Sequence, residues 1–181
     1  GEPSPLFIRK ETLDLFDKQN DLRYKTCVNY DTPNRPTGES GARMFGSNQV
    51  KWNCGGIRFS EVYLIVAECY ARLSDPENAM KYLNELYVNR VKNNTPELTA
   101  ASADEAFEQV RKERKRELMF TYNGFFDMRR FSVQLNETFT RTYVNTAGET
   151  QEFTLEPGSP LYVWPFPQNA METSNLVQNT K

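Results

Sequence analysis

Arginines and glutamates at helical spacing are the groups in this sequence best placed to do chemistry. Between Ile57 and Leu73, Arg58, Glu61, Glu68 and Arg72 recur at intervals of three, seven and four, so on a helix each glutamate can meet an arginine. Two carboxyl groups are also what glycoside hydrolysis requires, about 5 to 9.5 Å apart. Glu61 and Glu68, two turns apart, span roughly 10 Å at 1.5 Å per residue. The adjacent arginines argue against that use, because a cation beside each glutamate keeps it ionised and unfit as a general acid. A second charged run, Glu113-Arg114-Lys115-Arg116-Glu117-Leu118-Met119-Phe120 followed by Phe125-Phe126-Asp127-Met128-Arg129-Arg130-Phe131, puts ions where a helix interior normally holds carbon. Counted from Phe107 and Val110, the inward face continues through Arg114, Glu117 with Leu118, and Thr121. A lone buried charge costs about 3 to 5 kcal/mol. The expected arrangement therefore joins Arg114 and Glu117 to Asp127 and Arg129 in an internal network; the alternative is a solvated helix face with i,i+4 pairs.

What the chain lacks narrows the chemistry further. It contains no histidine, which excludes Ser-His-Asp and Cys-His nucleophile activation, imidazole acid-base catalysis and histidine-ligated zinc. Its three cysteines, Cys27, Cys54 and Cys69, have no CxxC spacing and are too few for a closed zinc site. No metal or cofactor is expected. Cys69 reads as core, and Cys27 with Cys54 could pair only if the protein is exported and their backbones come within range. A net charge of −2 argues against nucleic acid, and the basic run Arg111–Arg116 is interleaved with Glu108, Glu113 and Glu117. No stretch of 18 apolar residues spans a membrane. The opening Gly1-Glu2-Pro3-Ser4-Pro5 reads as a tag remnant joined to the middle of a longer protein.

The elements that must position these groups are mostly helices. At 181 residues, with 12 Phe and 9 Tyr, the chain is expected to fold as a single domain over 1–181. A short helix is expected over 9–18, stopping near Asn20-Asp21. Residues 24–56 are punctuated by Pro33, Pro36, Gly38, Gly41, Gly46, Gly55 and Gly56 and read as a long irregular segment carrying Tyr24, Tyr30, Phe45 and Trp52. The series Phe59, Val62, Val66, Cys69, Leu73 predicts the buried stripe of a helix over 57–73. Ser74-Asp75-Pro76-Glu77 starts the next, capped either by Ser74 in a capping box or by Asp75 with Pro76 in the first turn. That helix runs to about Lys92, its apolar face formed by Ala79, Leu83, Leu86 and Tyr87. A third begins at the capping box Ser102–Glu105 and is expected to reach Asn123, with Gly124 placed for its C-terminal turn. Helices stacked in hairpins in this way have the architecture of tetratricopeptide repeats. Thr138–Val144 and Thr150–Leu155 read as a β-hairpin. Leu161-Tyr162-Val163-Trp164-Pro165-Phe166-Pro167 is expected to be extended and to pack its large side chains on helices.

Several of these segments together resemble the C-terminal part of the SusD/RagB family of nutrient-capturing surface lipoproteins. Ile57–Glu68 is similar to the family's R-x-x-E-x-x-L-x-x-A-E helix, and Glu113-Arg114-x-x-Glu117-Leu118 with Phe125–Arg130 to its E-R-x-x-E-L and D-L-x-R elements. Trp164-Pro165-Phe166-Pro167 and Asn175-Leu176-Val177-Gln178-Asn179 resemble its closing P-I-P and N-x-x-L-x-Q-N pattern, and Phe16–Arg23 its D-x-R turn. Thr121 and Gly124 stand where the family commonly has an acid and an arginine, a paired loss that buried-ion energetics favour.

The resemblance implies a mainly α fold, with tetratricopeptide-like hairpins, long irregular loops and a small C-terminal β-hairpin. The chain would form the C-terminal portion of a longer protein: a helix and irregular loops over 1–56, a helical core over 57–131, and a hairpin and extended tail over 132–181. Arg58, Glu61, Glu68, Arg114, Glu117, Asp127 and Arg129 would be a structural charge network, not an active site. The implied function is non-catalytic capture of a nutrient, such as an oligosaccharide, at the outer surface, and its delivery to a SusC-like TonB-dependent outer-membrane transporter. The only membrane attachment implied is a lipidated cysteine upstream of this sequence. Aromatic faces and hydrogen-bonding side chains outside the helices suit sugar capture, which nominates Trp52, Tyr30 and Arg43. The rival reading is a helical-repeat scaffold that docks proteins and has no small-molecule site.

Overall fold

A computed structural model describes residues 7–8, 10–26, 28–30, 43–45, 56–119, 121–144 and 147–178. They fall into two compact units, Gly1–Thr121 and Tyr122–Lys181. The chain is mainly helical with a two-stranded antiparallel hairpin near its C-terminus, in keeping with the expected class. Trp52, Cys27 and Cys54 lie outside the described residues.

The first unit opens with strand β1 (Phe7–Ile8), helix α1 (Lys10–Leu13) and helix α2 (Leu22–Thr26). The expected helix over 9–18 is thus confined to four residues. Asp17 accounts for the interruption: its carboxylate accepts hydrogen bonds from the backbone N–H of Gln19 and Asn20 at 3.0 and 3.1 Å, a local turn that competes with helix. Within the segment read as irregular, β2 (Val28–Tyr30) and β3 (Arg43–Phe45) join β1 in an antiparallel sheet of order β1-β3-β2. Strands of two or three residues are too short to show a period.

The helical hairpin follows as α3 (Phe59–Arg72) and α4 (Pro76–Tyr87), with α5 (Ala103–Glu117) packed against both. Ser74 adopts the left-handed conformation (φ 61°), so it cannot cap α4. Asp75 does so, accepting from the Asn78 N–H, with Pro76 in the first turn. Ser102 caps α5 by accepting from the Glu105 N–H. The core gathers Leu64, Ala67 and Ala71 of α3, Ala79, Met80, Leu83 and Leu86 of α4, and Ala106, Val110 and Leu118 from α5 and its end. Tyr70 and Tyr82 stack at 5.5 Å between centroids, joining α3 to α4.

The buried face of α3 is not the expected stripe. Ser60, Leu64, Ala67, Glu68 and Ala71 point inward, whereas Phe59 is 88% and Leu73 76% exposed, and Cys69 is exposed as well. A helix that is apolar on more than one side offers several candidate stripes. Packing selects the one whose alanines let the partner backbone approach closely.

Helix α5 ends at Glu117, not Asn123. Its last turn closes on the Leu118 N–H, which donates to the Arg114 carbonyl, and the Thr121 hydroxyl and N–H then both donate to the Leu118 carbonyl. Gly124 accordingly sits in the first turn of another helix.

That helix, α6 (Asn123–Gln134), opens the second unit. Strands β4 (Phe139–Val144) and β5 (Thr150–Leu155) follow, then a single 3-10 turn (Pro160–Tyr162) and α7 (Gln168–Glu172). The hairpin pairs Phe139 with Leu155 through to Val144 with Thr150. In the tail, the Tyr162 and Trp164 rings lie 6.5 and 5.8 Å from that of Phe125 on α6, but only Tyr162 is buried: Trp164 is 68% and Leu161 58% exposed, so the expected packing of the tail's large side chains is confined to one ring. Residues 160–162 are turned rather than extended, because the Ser159 hydroxyl accepts from the Leu161 N–H and opens the 3-10 turn. Phe166, between two prolines that lack N–H groups, is held by the Gln178 amide: its N–H donates to Gln178 Oε1 at 2.8 Å, and Gln178 Nε2 donates to its carbonyl at 3.0 Å.

Enlarging Ala67, which is fully buried, tests the choice of face on α3. Ala67→Leu should destabilise by about 1–3 kcal/mol through overpacking, whereas Phe59→Ser should change stability by less than about 0.5 kcal/mol. Equal losses in denaturant melts would mean that both faces are packed.

Candidate functional site

The densest concentration of charge is buried in the first unit, between residues 21–23 and α5. Arg23 supplies the centre. Its Nε and Nη2 donate to Asp21 at 3.0 and 2.7 Å, and its Nη1 donates to Glu113 and, at 2.8 Å, to Glu117. Glu113, fully buried, accepts two further bonds from Arg116, whose Nη1 reaches the Leu15 carbonyl at 2.7 Å. Glu117 takes a bidentate pair from Arg90, at 2.9 and 2.8 Å. Asp21, Glu113 and Glu117 thus balance Arg23, Arg90 and Arg116.

Backbone contacts bring these groups together. The Leu22 N–H donates to the Arg90 carbonyl and the Lys92 N–H to the Asn20 carbonyl, both at 2.9 Å, so residues 20–22 pair with the end of the helical hairpin, with Asp21 opposite Val91. Phe16 and Tyr24 are both buried with their ring centroids 6.0 Å apart, and the Arg23 guanidinium lies 5.8 Å from the Phe16 ring centroid. Water is largely excluded, which strengthens each pairing and makes any unpaired member costly.

The ionisation states follow from that enclosure. Burial alone would raise the Glu117 pKa, but hydrogen bonds and charge from Arg90, and then from Arg23, outweigh it and hold the carboxyl below the usual range. For Arg23, burial opposes the charge, yet hydrogen bonding to Asp21 and the charge of Glu113 prevail and keep it firmly protonated. The Arg90 pKa is raised chiefly by its hydrogen bond to Glu117. A saturated cluster of fixed ions is suited to bracing rather than to proton transfer.

The residues singled out in the sequence are distributed more widely. Glu117 is in the cluster, with Arg23 and Arg90 as its partners. Arg114 is buried on α5. Asp127 bonds Arg130 at 2.8 Å on α6, where Arg129 is exposed. Glu68 is buried and accepts from Arg72 Nε at 2.8 Å, as the i,i+4 spacing indicated, and the Arg72 guanidinium lies 4.5 Å from the Phe107 ring centroid, tying α3 to α5. Arg58 is exposed and Glu61 half-buried. Tyr30 and Arg43 are direct register partners across β2 and β3. Sequence reasoning did not assign Asp21, Arg23, Arg90, Glu113 or Arg116 to the cluster. The available signal was the D-x-R turn, which had no visible partner in sequence.

An open groove of about 690 Å³ lies between the outer face of α4 and residues 97–100, with Glu77, Lys81, Glu85 and Glu97 among its lining residues. Asn84 shapes it by pairing its side-chain amide with the backbone of Leu98, both bonds 2.9 Å.

The sequence profile of the SusD family matches residues 46–181. This chain belongs to the SusD family. It is similar to a solved SusD-like protein from Bacteroides fragilis NCTC 9343, at 25% sequence identity and a TM-score of 0.44, covering 80% of this chain and 27% of that one. The chain therefore spans about a quarter of that structure's length. No curated protein matches it. SusD-family proteins bind nutrients, glycans among them, and are binding proteins rather than enzymes. In this SusD-family chain, the D-x-R turn and the two glutamates of the E-R-x-x-E-L helix are halves of one ion cluster.

Two outcomes should follow. Removing one partner, by Glu113→Ala or Arg23→Ala, should destabilise by about 3–5 kcal/mol, and the double variant should show a coupling of about 0.5–3 kcal/mol in a mutant cycle; additive losses would mean that the two do not interact. Because the Glu117 pKa is lower folded than unfolded, its contribution is fully present above the ordinary glutamate value of about 4.3 and is lost as pH falls through the depressed folded value. Glu117→Gln should therefore flatten the acid limb of the stability–pH curve, measured by urea melts below about pH 5.

Proposed function

We propose that this chain is the C-terminal portion of a surface-exposed lipoprotein that captures a nutrient, most simply an oligosaccharide, at the outer membrane. The protein passes its ligand unchanged to a SusC-like TonB-dependent transporter. The family match over residues 46–181 is the observation that supports this reading. Among the described residues, no helix is long and apolar enough to cross a membrane, and attachment is assigned to a lipidated cysteine upstream.

The physical logic is a division of labour. Buried, neutralised ions hold the helices rigid, while ligand contacts are made by residues outside them. Tyr30 and Arg43, paired in register, and Trp52 are the proposed contacts near the N-terminal side, through ring stacking and hydrogen bonds to hydroxyls.

Calorimetric titration of the full-length protein with oligosaccharides, followed by chromatography of the recovered sugar, tests the proposal. Saturable binding with the sugar returned intact is expected, together with co-purification of the transporter. Arg43→Ala and Trp52→Ala should each weaken affinity by about 1–3 kcal/mol if they bond or stack on the ligand. Cleavage of the sugar, or no binding to any saccharide while transporter association persists, would overturn this reading; the second result favours a protein scaffold.

A further inference from the structure

The β4–β5 ribbon has one face that the ion cluster and the helical core do not explain. Residues paired across an antiparallel ribbon share a face, as do residues two apart on a strand. The register therefore puts Phe139, Arg141 and Tyr143 of β4 on the same side as Leu155, Phe153 and Gln151 of β5. The opposite side carries Thr140, Thr142, Thr150, Glu152 and Thr154, with the Thr140 and Thr154 hydroxyls 3.5 Å apart. One side is thus a threonine ladder. The other presents two large rings, Tyr143 at 55% and Phe153 at 59% exposure, on diagonal register positions, with Arg141 and Gln151 completing the square.

We propose that this face is a saccharide-binding platform, in which Tyr143 and Phe153 stack on sugar rings while Arg141 and Gln151 pair with hydroxyl groups. It rests on the reading of the protein as a nutrient-capture lipoprotein and adds a site to it. Size decides between a sugar and a protein as occupant. A fully buried aromatic side chain covers about 150–250 Å², so two rings little more than half exposed offer roughly 200 Å². A stable protein interface needs about 800 Å² from each partner. Two neighbouring rings match one or two hexose units instead. Their apolar faces meet the C–H face of a pyranose, and a guanidinium and a carboxamide at the same level supply donors, and in Gln151 an acceptor, for equatorial hydroxyls. Arg141 is the only charged residue on this face, so neutral and acidic oligosaccharides both fit and cationic ones do not. A two-stranded ribbon is a marginal element, and cross-strand aromatic contact also helps to hold it.

The experiment uses the full chain and four defined probes: maltohexaose, cellohexaose, xylohexaose and mannohexaose. Binding is measured by calorimetry, and its location by backbone chemical-shift changes. The expected result is that at least one probe binds, with shifts concentrated in residues 139–143 and 151–155. Tyr143→Ala and Phe153→Ala should each weaken that probe roughly tenfold, Phe153→Trp should retain binding, and Thr142→Ala on the opposite face should leave it unchanged. Melting curves and the spectra of the remaining residues show whether each variant is folded. If the wild type binds a probe and the folded double alanine variant binds it equally well, the platform is overturned and the nutrient-capture reading stands. If the wild type binds none of the four, the platform falls, while the nutrient-capture reading is decided by the wider saccharide titration and the transporter co-purification. Loss of transporter association with saccharide affinity intact would also overturn the platform and make this face a protein contact.

Discussion

The first unit depends on a single guanidinium. Arg23 makes four side-chain hydrogen bonds to three carboxylates, and its most distant partner in sequence, Glu117, is 94 residues away. Replacing such a cluster by apolar residues of equal volume is often neutral or stabilising, so net stability does not account for it. Geometry does. An apolar seam tolerates a slip of one helical turn with modest loss, whereas a fork of donors on fixed acceptors does not. The cluster fixes the register between residues 21–23, the end of the helical hairpin and α5.

Aromatic contact completes the arrangement. Phe16 lies against the Arg23 guanidinium with Tyr24 beside it, and the hydrophobic core gathers the alanines of α3, α4 and α5. Charge and small residues therefore have complementary roles: alanines determine how closely the helices approach, and ions determine where along their length they meet. The Arg72–Phe107 contact between α3 and α5 extends the same principle to the far side of the core.

Much of this was legible in sequence where the information is local. The starts of α4 and α5 were written in their capping residues, the hairpin in two alternating runs around a turn, and the Glu68–Arg72 pair in its i,i+4 spacing. What could not be read depends on partners distant in sequence. The buried face of α3 was misassigned because periodicity ranks stripes by hydrophobicity, whereas packing chose the one with alanines. The ion cluster was anticipated only through Glu117, since nothing local shows that Asp21 and Arg23 meet α5. The end of α5 was overrun because no glycine or proline stands between Leu118 and Gly124, and the competing Thr121 bonds to the Leu118 carbonyl carry little sequence signal. Tyr30 and Arg43 were nominated by residue type, and their direct pairing across strands came only with the fold.

The Gln178 clamp on Phe166 works by a different principle from the ion cluster. A carboxamide carries one donor and one acceptor on adjacent atoms, the same pair an adjoining strand would present, and neither titrates nor is screened by dissolved salt. The closing turn of the polypeptide is consequently latched by a neutral group at the one residue of Pro165-Phe166-Pro167 that still has both backbone partners to offer. Acid strong enough to protonate Glu117 loosens the ion cluster of the first unit and leaves this latch chemically untouched, so the two contacts answer differently to pH.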